Sequence, residues 1–315
     1  MSRESISVVV PVYNSKGTIQ PLVERLISVL SPLVSGYEII LVNDGSRDDS
    51  WEVIESMART HAGVRGFRLA RNVGQHNAIL AGVRAARYSL IVTLDDDLQH
   101  PPEEIATLLT ALTPDVDVVY GTPVRAEHST SRSFASWLLR RVLERVMKSP
   151  IARDASAFRL FRTRLRDAFD NYQSPFVSID VLLSWGTSRF QAVRVNHHPR
   201  RIGSSTYSLR RLAAHAMDML TGFSTAPLRF ATAVGFSFTL FGLGVLIYVI
   251  GRYLIEGGSV PGFPFIASIV AIFSGAQLFA LGLIGEYIAR IHVRSMGRPA
   301  YTVMSAMGVT NDESH

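Results

Sequence analysis

Leu90-Ile91-Val92-Thr93-Leu94-Asp95-Asp96-Asp97-Leu98-Gln99-His100-Pro101-Pro102 is the stretch on which the fold of this chain turns. Tyr88 to Thr93 is apolar and β-branched over the length of a buried strand, and two prolines followed by Glu103 and Glu104 open a helix. Three carboxylates therefore stand where the chain leaves a sheet. Side chains alternate along an extended chain, so Asp95 and Asp97 are expected to point one way and Asp96 the other. Converging carboxylates repel each other unless a cation lies between them. Oxygen ligands of this kind suit Mg2+ or Mn2+, with positions left for water or phosphate oxygens. An isolated D-x-D is more often a solvated turn or a helix cap, so its neighbours decide the reading.

Upstream, Ile6 to Val12, Glu38 to Val42 and Val64 to Ala70 read as strands, and Val116 to Tyr120 as a fifth after the aspartates. Helical stretches separate them: about Gly17 to Leu30, one opened by Asp48 and Asp49, and one from the Arg71–Ala78 segment to about Arg87. This alternation predicts an α/β domain with a doubly wound, mostly parallel sheet. Such sheets bind ligands beyond the carboxyl ends of their strands, where Asp44, Arg71 and Asp95 to Asp97 all fall. Further on, Ser131 to Met147 is basic and amphipathic, Ala157 to Phe161 and Phe190 to Val195 read as strands, and 196–208 is a polar, basic loop.

The last third changes character. About 22 uncharged, mostly apolar residues lie between Arg229 and Arg252, and about 29 uncharged residues lie between Glu256 and Glu286. Each is long enough to cross a bilayer as a helix. The Gly257–Gly262 turn joins them into a hairpin, with spans at about 230–252 and 263–286. Arg210, Arg211 and Arg229 precede the hairpin and Arg290, Arg294 and Arg298 follow it, so the positive-inside rule places both ends in the cytoplasm. The expected organisation is a catalytic domain over 1–206, a juxtamembrane interface helix over 207–228, the hairpin over 229–289 and a tail over 290–315. The tail is extended in character at Arg298–Val303, a candidate for pairing with a neighbouring subunit.

With 47% hydrophobic and 18% charged residues, the composition is apolar, and the net charge is +6 with arginine far outnumbering lysine. The arginines form no basic aromatic stripe, which excludes a nucleic-acid partner and leaves phosphorylated substrates and anionic lipid. Without cysteine, neither disulfides nor thiolate metal sites are available. The apolar run near the start, Ile6 to Val12, is too short for a signal peptide. His197 and His198 read as structural, and His76 is open between substrate contact and packing at a helix start. Arg140, Arg141 and Arg145 read as a solvated or lipid-facing stripe, and Glu286 as facing a partner or water.

Five motifs taken together carry a resemblance: Pro11-Val12-Tyr13-Asn14, Asn43-Asp44-Gly45-Ser46, Arg71-Asn72-Val73-Gly74-Gln75-His76, Leu94-Asp95-Asp96-Asp97-Leu98-Gln99, and Arg200-Arg201-Ile202-Gly203-Ser204-Ser205-Thr206-Tyr207-Ser208. With the terminal hairpin, they resemble the polyprenyl-phosphate glycosyltransferases of glycosyltransferase family 2 over nearly the whole chain. Dolichol-phosphate mannose synthase and bactoprenol glucosyltransferase belong to that group, and the Gly-Gln-His form of the third motif leans toward its aminoarabinose transferase branch. The resemblance implies a GT-A catalytic domain and an inverting glycosyltransferase. Such an enzyme passes one sugar from a nucleotide-sugar donor, expected to be UDP-linked, to polyprenyl phosphate at the inner (plasma) membrane, as a homo-oligomer of tetrameric type.

By the same resemblance, Pro11, Tyr13 and Asp44 hold base and ribose, and Asn14, Arg71, Gln75, Asp95 and Asp96 complete the nucleotide site. Asp95, Asp97 and Gln99 hold the metal. Arg125, Arg132 and Ser136, with Arg200, Arg201 and Ser205, bind the acceptor phosphate, and Asp154, Asp97 and Arg132 are the catalytic candidates. Guanidinium suits that role because it is permanently charged and binds phosphate oxygens in a fork. Ser15 and Thr206 depart from the family pattern, which commonly has glutamate and lysine there. The rivals are a non-catalytic lipid- or nucleotide-binding membrane subunit and a processive polysaccharide synthase. The latter class needs a Gln-x-x-Arg-Trp motif, which is missing from the sequence.

Overall fold

A computed structural model of the chain describes residues 4–123, 154–174, 176–198, 225–256 and 262–308. The expectations for Arg125, Arg132, Ser136, Arg200, Arg201 and Ser205, for the basic segment Ser131 to Met147 and for the interface helix up to 224 lie outside the described residues. The chain divides into two units, Met1–Ala216 with Gly297–His315, and Met217–Met296.

The first unit is built on an eight-stranded sheet. Its elements in chain order are β1 (Ser5–Val12), α1 (Lys16–Leu33), β2 (Gly36–Asn43), α2 (Ser50–Thr60), β3 (Val64–Leu69), α3 (Gln75–Ala85), β4 (Leu90–Thr93), a 3-10 turn (Pro102–Glu104), α4 (Ile105–Ala111) and β5 (Val118–Pro123). They continue with β6 (Arg159–Arg162), a 3-10 stretch (Thr163–Phe169), α5 (Ile179–Gly186), β7 (Phe190–Val195) and, after the second unit, β8 (Val303–Met307). The spatial order is β7-β5-β6-β4-β1-β2-β3-β8. The core β3-β2-β1-β4 is parallel, as is β5 with β7, while β6 runs antiparallel to both β4 and β5. The sheet is thus mixed, with the parallel core that the βα alternation implied. Within the tail, β8 pairs antiparallel with β3 of its own chain.

The strands read as continuous apolar runs because both faces are covered. Val8, Val10, Val12, Ile39, Leu41 and Val92 pack on the side of α1, α2 and α4, whereas Val9, Ile40, Val42 and Ile91 pack on the side of α3 and α5. Two apolar layers therefore hold the parallel strands rigidly and leave their carboxyl ends to carry loops. The opposite end of the sheet is pinned by charge. Asp117, 3% exposed, accepts hydrogen bonds from Thr187 Oγ1 (2.7 Å), Arg164 Nη2 (2.9 Å) and both Nε and Nη2 of Arg189 (2.9 Å each).

The second unit contains α6 (Ala226–Glu256) and α7 (Phe263–Ser295), of 31 and 33 residues. Both are long and apolar enough to cross a membrane. Large side chains such as Phe236, Ile247, Leu254 and Phe279 project outward, as lipid-facing residues do. The pair packs where Phe238 meets Phe273 edge-on at 5.6 Å, beside Gly242, whose missing side chain leaves room for the Phe273 ring. Glu286 pairs with Arg290 one turn along α7, at 2.8 Å.

Candidate active site

The parallel core sets the place of the site. From β1, the chain order runs outward through β2 and β3 on one side and through β4 on the other. Loops leaving β1 and β4 diverge at such a switch point and open a crevice between them. A cavity of about 290 Å³ lies there, lined by Pro11, Val12, Tyr13, Asp44, Asn72, Gly74, Gln75, Asp95, Asp96 and Asp97. These residues come from the ends of β1, β2 and β4 and from the loop into α3.

Each wall is braced by its neighbours. Asn14, in a left-handed conformation (φ 53°), receives Arg47 N–H on Oδ1 at 2.8 Å and donates its own N–H to Ser46 Oγ at 3.0 Å. The β1 and β2 loops are locked together in this way. Asp44 does the same for the next loop: Oδ1 accepts Val73 N–H at 2.7 Å and Oδ2 accepts Gly74 N–H at 2.9 Å. Gly45 (φ +65°) is packed so tightly that a Cβ there would lie 2.6 Å from Asn72 N. Gln75 Nε2 then donates to Asp95 Oδ1 at 2.6 Å.

The acidic turn differs from the expected alternation. The strand stops at Thr93, and Leu98 takes a left-handed conformation (φ 60°), so the chain turns instead of extending. Asp96 consequently lines the same cavity as Asp95 and Asp97, and its Oδ2 lies 3.4 Å from Tyr13 N–H. Burial raises the Asp96 pKa, against hydrogen bonds from Ser15 and Tyr13 that lower it, and nearby Asp97 adds to the rise. Burial likewise raises that of Asp44, opposed by the Val73 and Gly74 N–H groups. Four carboxylates thus face one cavity whose described lining holds no basic side chain.

Several sequence-derived candidates stand outside that lining. Asn14 is a brace, and Arg71 is exposed beside the loop. Gln99 is half-buried, and its backbone N–H donates to Asp97 Oδ1 at 3.1 Å. Asp154 is half-buried at the start of a described segment, three residues before Ala157, whose carbonyl accepts Thr93 Oγ1–H at 2.7 Å. His76 faces α5, its Nδ1 lying 3.4 Å from Ile179 N–H. Val12, Asn72 and Gly74 line the cavity although sequence reasoning gave them no role; the backbone freedom of Gly74 (φ +92°) was the available signal.

Among the described residues no three His, Cys, Asp or Glu side chains form a ready-made metal cage. The donor set still fits a hard cation. Asp95, Asp96 and Asp97 offer carboxylate oxygens into an open cavity, and Mg2+ or Mn2+ takes one or two carboxylates and completes its shell with water and phosphate oxygens.

A family model described as "Glycosyl transferase family 2" matches residues 7–172. Undecaprenyl-phosphate 4-deoxy-4-formamido-L-arabinose transferases of Yersinia pestis and Yersinia pseudotuberculosis are 33% identical over 316 residues, covering 99% of this chain and 96% of theirs. Among solved structures, mannosyl-3-phosphoglycerate synthase from Rubrobacter xylanophilus superposes with a TM-score of 0.50 at 17% identity, covering 83% of this chain and 79% of that one. That likeness establishes the shared fold.

Proposed function

This chain belongs to glycosyl transferase family 2, and from that premise we propose that it transfers a single sugar, with inversion, from a nucleotide-sugar donor to polyprenyl phosphate at a membrane. An acceptor phosphate oxygen attacks the anomeric carbon while the bond to the nucleoside diphosphate breaks, so one C–O bond replaces another. The observation that carries the reading is the acidic cavity at the β1/β4 switch point, in a chain aligned end to end with an undecaprenyl-phosphate sugar transferase.

Pro11, Tyr13 and Asp44 hold the base and ribose, with Gln75 and Asp95 beside them. Asp95 and Asp97, with Gln99, hold the divalent ion. When bound, that ion neutralises the charge that develops on the diphosphate leaving group. Arg125 and Arg132 with Ser136, and Arg200 or Arg201 with Ser205, receive the acceptor phosphate, since a second polyanion approaches only against fixed cations. A phosphate monoester is already largely ionised near neutral pH, with a second pKa of about 6, so Asp154 orients a partner group and does not need to remove a proton. UDP is the expected nucleotide. The hairpin holds the enzyme in the membrane with both ends cytoplasmic, and the subunits associate as homo-oligomers.

The test is sugar transfer to polyprenyl phosphate by the purified full-length protein in detergent, with and without chelator, beside Asp97→Ala. Chelation is expected to abolish transfer, and Asp97→Ala to reduce it by at least about 100-fold, the scale on which removing a preorganised electrostatic group acts. Undiminished turnover in either arm refutes the proposal.

A further inference from the structure

The turn that carries Asp97 and Gln99 is clipped from outside by the chain leaving β7. His198 N–H donates to the Gln99 carbonyl at 2.8 Å. Asn196 gives both its backbone N–H (3.2 Å) and its Nδ2 (2.5 Å) to Glu104 Oε1, just beyond the turn. Between these clips the His197 ring meets the His100 ring edge-on, with centroids 4.9 Å apart and planes at 79°. His100 also stacks on Phe158 at 5.2 Å and 21°.

His100 is 9% exposed, and its buried Nδ1 has no hydrogen-bond partner among the described residues. Leu98 in the left-handed region is a costly conformation for a γ-branched residue and persists only where its surroundings over-determine it. Gln99 is fixed by Asp97 on one side and by His198 on the other.

We propose that His197 is a positioning residue for the metal-binding turn: its ring against His100, with the Asn196 and His198 clips, holds Leu98–Gln99 in the conformation that presents Asp97 to a divalent cation. The inference rests on the metal reading given under the proposed function and adds to it a group that touches neither metal nor substrate. An edge-to-face aromatic contact of this kind corresponds to roughly a two- to tenfold change in an equilibrium.

The experiment titrates Mn2+ into the full-length protein in detergent, following the free-ion signal by electron paramagnetic resonance without donor or acceptor. His197→Ala is expected to weaken Mn2+ binding by that factor, and His197→Phe, which keeps an aromatic ring against His100, to restore it. Asn196→Ala, at an exposed position, removes the Nδ2 half of the second clip and moves the affinity the same way. In turnover, the alanine variant requires more Mn2+ for half-maximal rate and regains wild-type kcat at excess metal. A purely structural role would lower thermal stability and leave the Mn2+ titration where it was. Wild-type affinity in both alanine variants overturns the inference, as does a phenylalanine variant no better than alanine. A wild-type protein that binds no Mn2+ overturns the metal reading itself, and the inference with it.

Discussion

Asp44→Asn tests how the donor cavity is held open. The wild-type carboxylate is 3% exposed and accepts one backbone N–H on each oxygen, from Val73 at 2.7 Å and Gly74 at 2.9 Å. Asparagine keeps the shape but offers one acceptor oxygen, and its amide group turns two hydrogens toward the other N–H. One charge-assisted bond is lost outright, which costs about 1.5–3 kcal/mol when the abandoned donor is buried. The loop that loosens carries Asn72 and Gly74, both of which line the cavity. If about 2 kcal/mol passes into donor binding, affinity for the Mn2+–UDP complex falls roughly thirtyfold. Calorimetric titration of UDP in the presence of Mn2+ measures this, and hydrogen exchange at residues 72–74 should rise in parallel. Because burial raises the Asp44 pKa, wild-type donor binding should also weaken on acidification sooner than an ordinary aspartate would cause. Wild-type affinity together with wild-type exchange at 72–74 in the variant would refute this account of Asp44.

Asp117→Ala should destabilise the first unit without altering turnover per folded molecule, because Asp117 lies at the start of β5, at the end of the sheet away from the cavity. Removing the partner of several arginines can cost about 3–5 kcal/mol when they are buried, but Arg164 and Arg189 are 62% and 45% exposed, so about 2 kcal/mol is expected in urea unfolding. Burial disfavours the Asp117 charge, yet bonds from Thr187, Arg164 and Arg189 outweigh it and depress the pKa. A depressed carboxylate gives stability that is present above its unfolded pKa of about 3.9 and lost as the pH falls through the folded value, so the difference between wild type and variant should shrink below about pH 4. Asp154→Asn should lower the transfer rate and leave the shape of the pH–rate profile unchanged. Loss of its acidic limb would make Asp154 a proton acceptor after all.

The βα alternation was legible because strands covered on both faces are uniformly apolar, and Val8–Val10 and Ile39–Val42 have no other reading. The place of the cavity was legible from topology, since Asp44 and Asp95 to Asp97 had to fall at strand ends. The direction of Asp96 was not, because nothing local announces that Leu98 adopts φ 60° and converts an extended run into a turn. The roles of Asn14 and Asp44 as braces were hidden for a related reason. Each acts across more than 25 residues of sequence, through backbone N–H groups that no motif displays. β8 is the clearest case. Its pairing with β3 joins residues more than 230 positions apart, and its short, polar-interrupted sequence carries no strand signal of its own.

These braces bear on the order of binding. The cavity gathers Asp44, Asp95, Asp96 and Asp97 and no basic side chain among its described lining, and burial already disfavours the charged forms of Asp44 and Asp96. A nucleoside diphosphate brings further negative charge into that field, and a partly buried site screens it less than water does. The wall hydrogen bonds cannot offset this repulsion, because the Val73 and Gly74 N–H groups are already committed to Asp44. On the proposed reading, a divalent cation is therefore expected to arrive before the diphosphate or with it. If the donor is recognised as a metal–nucleotide complex, chelation should remove donor binding itself and not merely slow the step that follows.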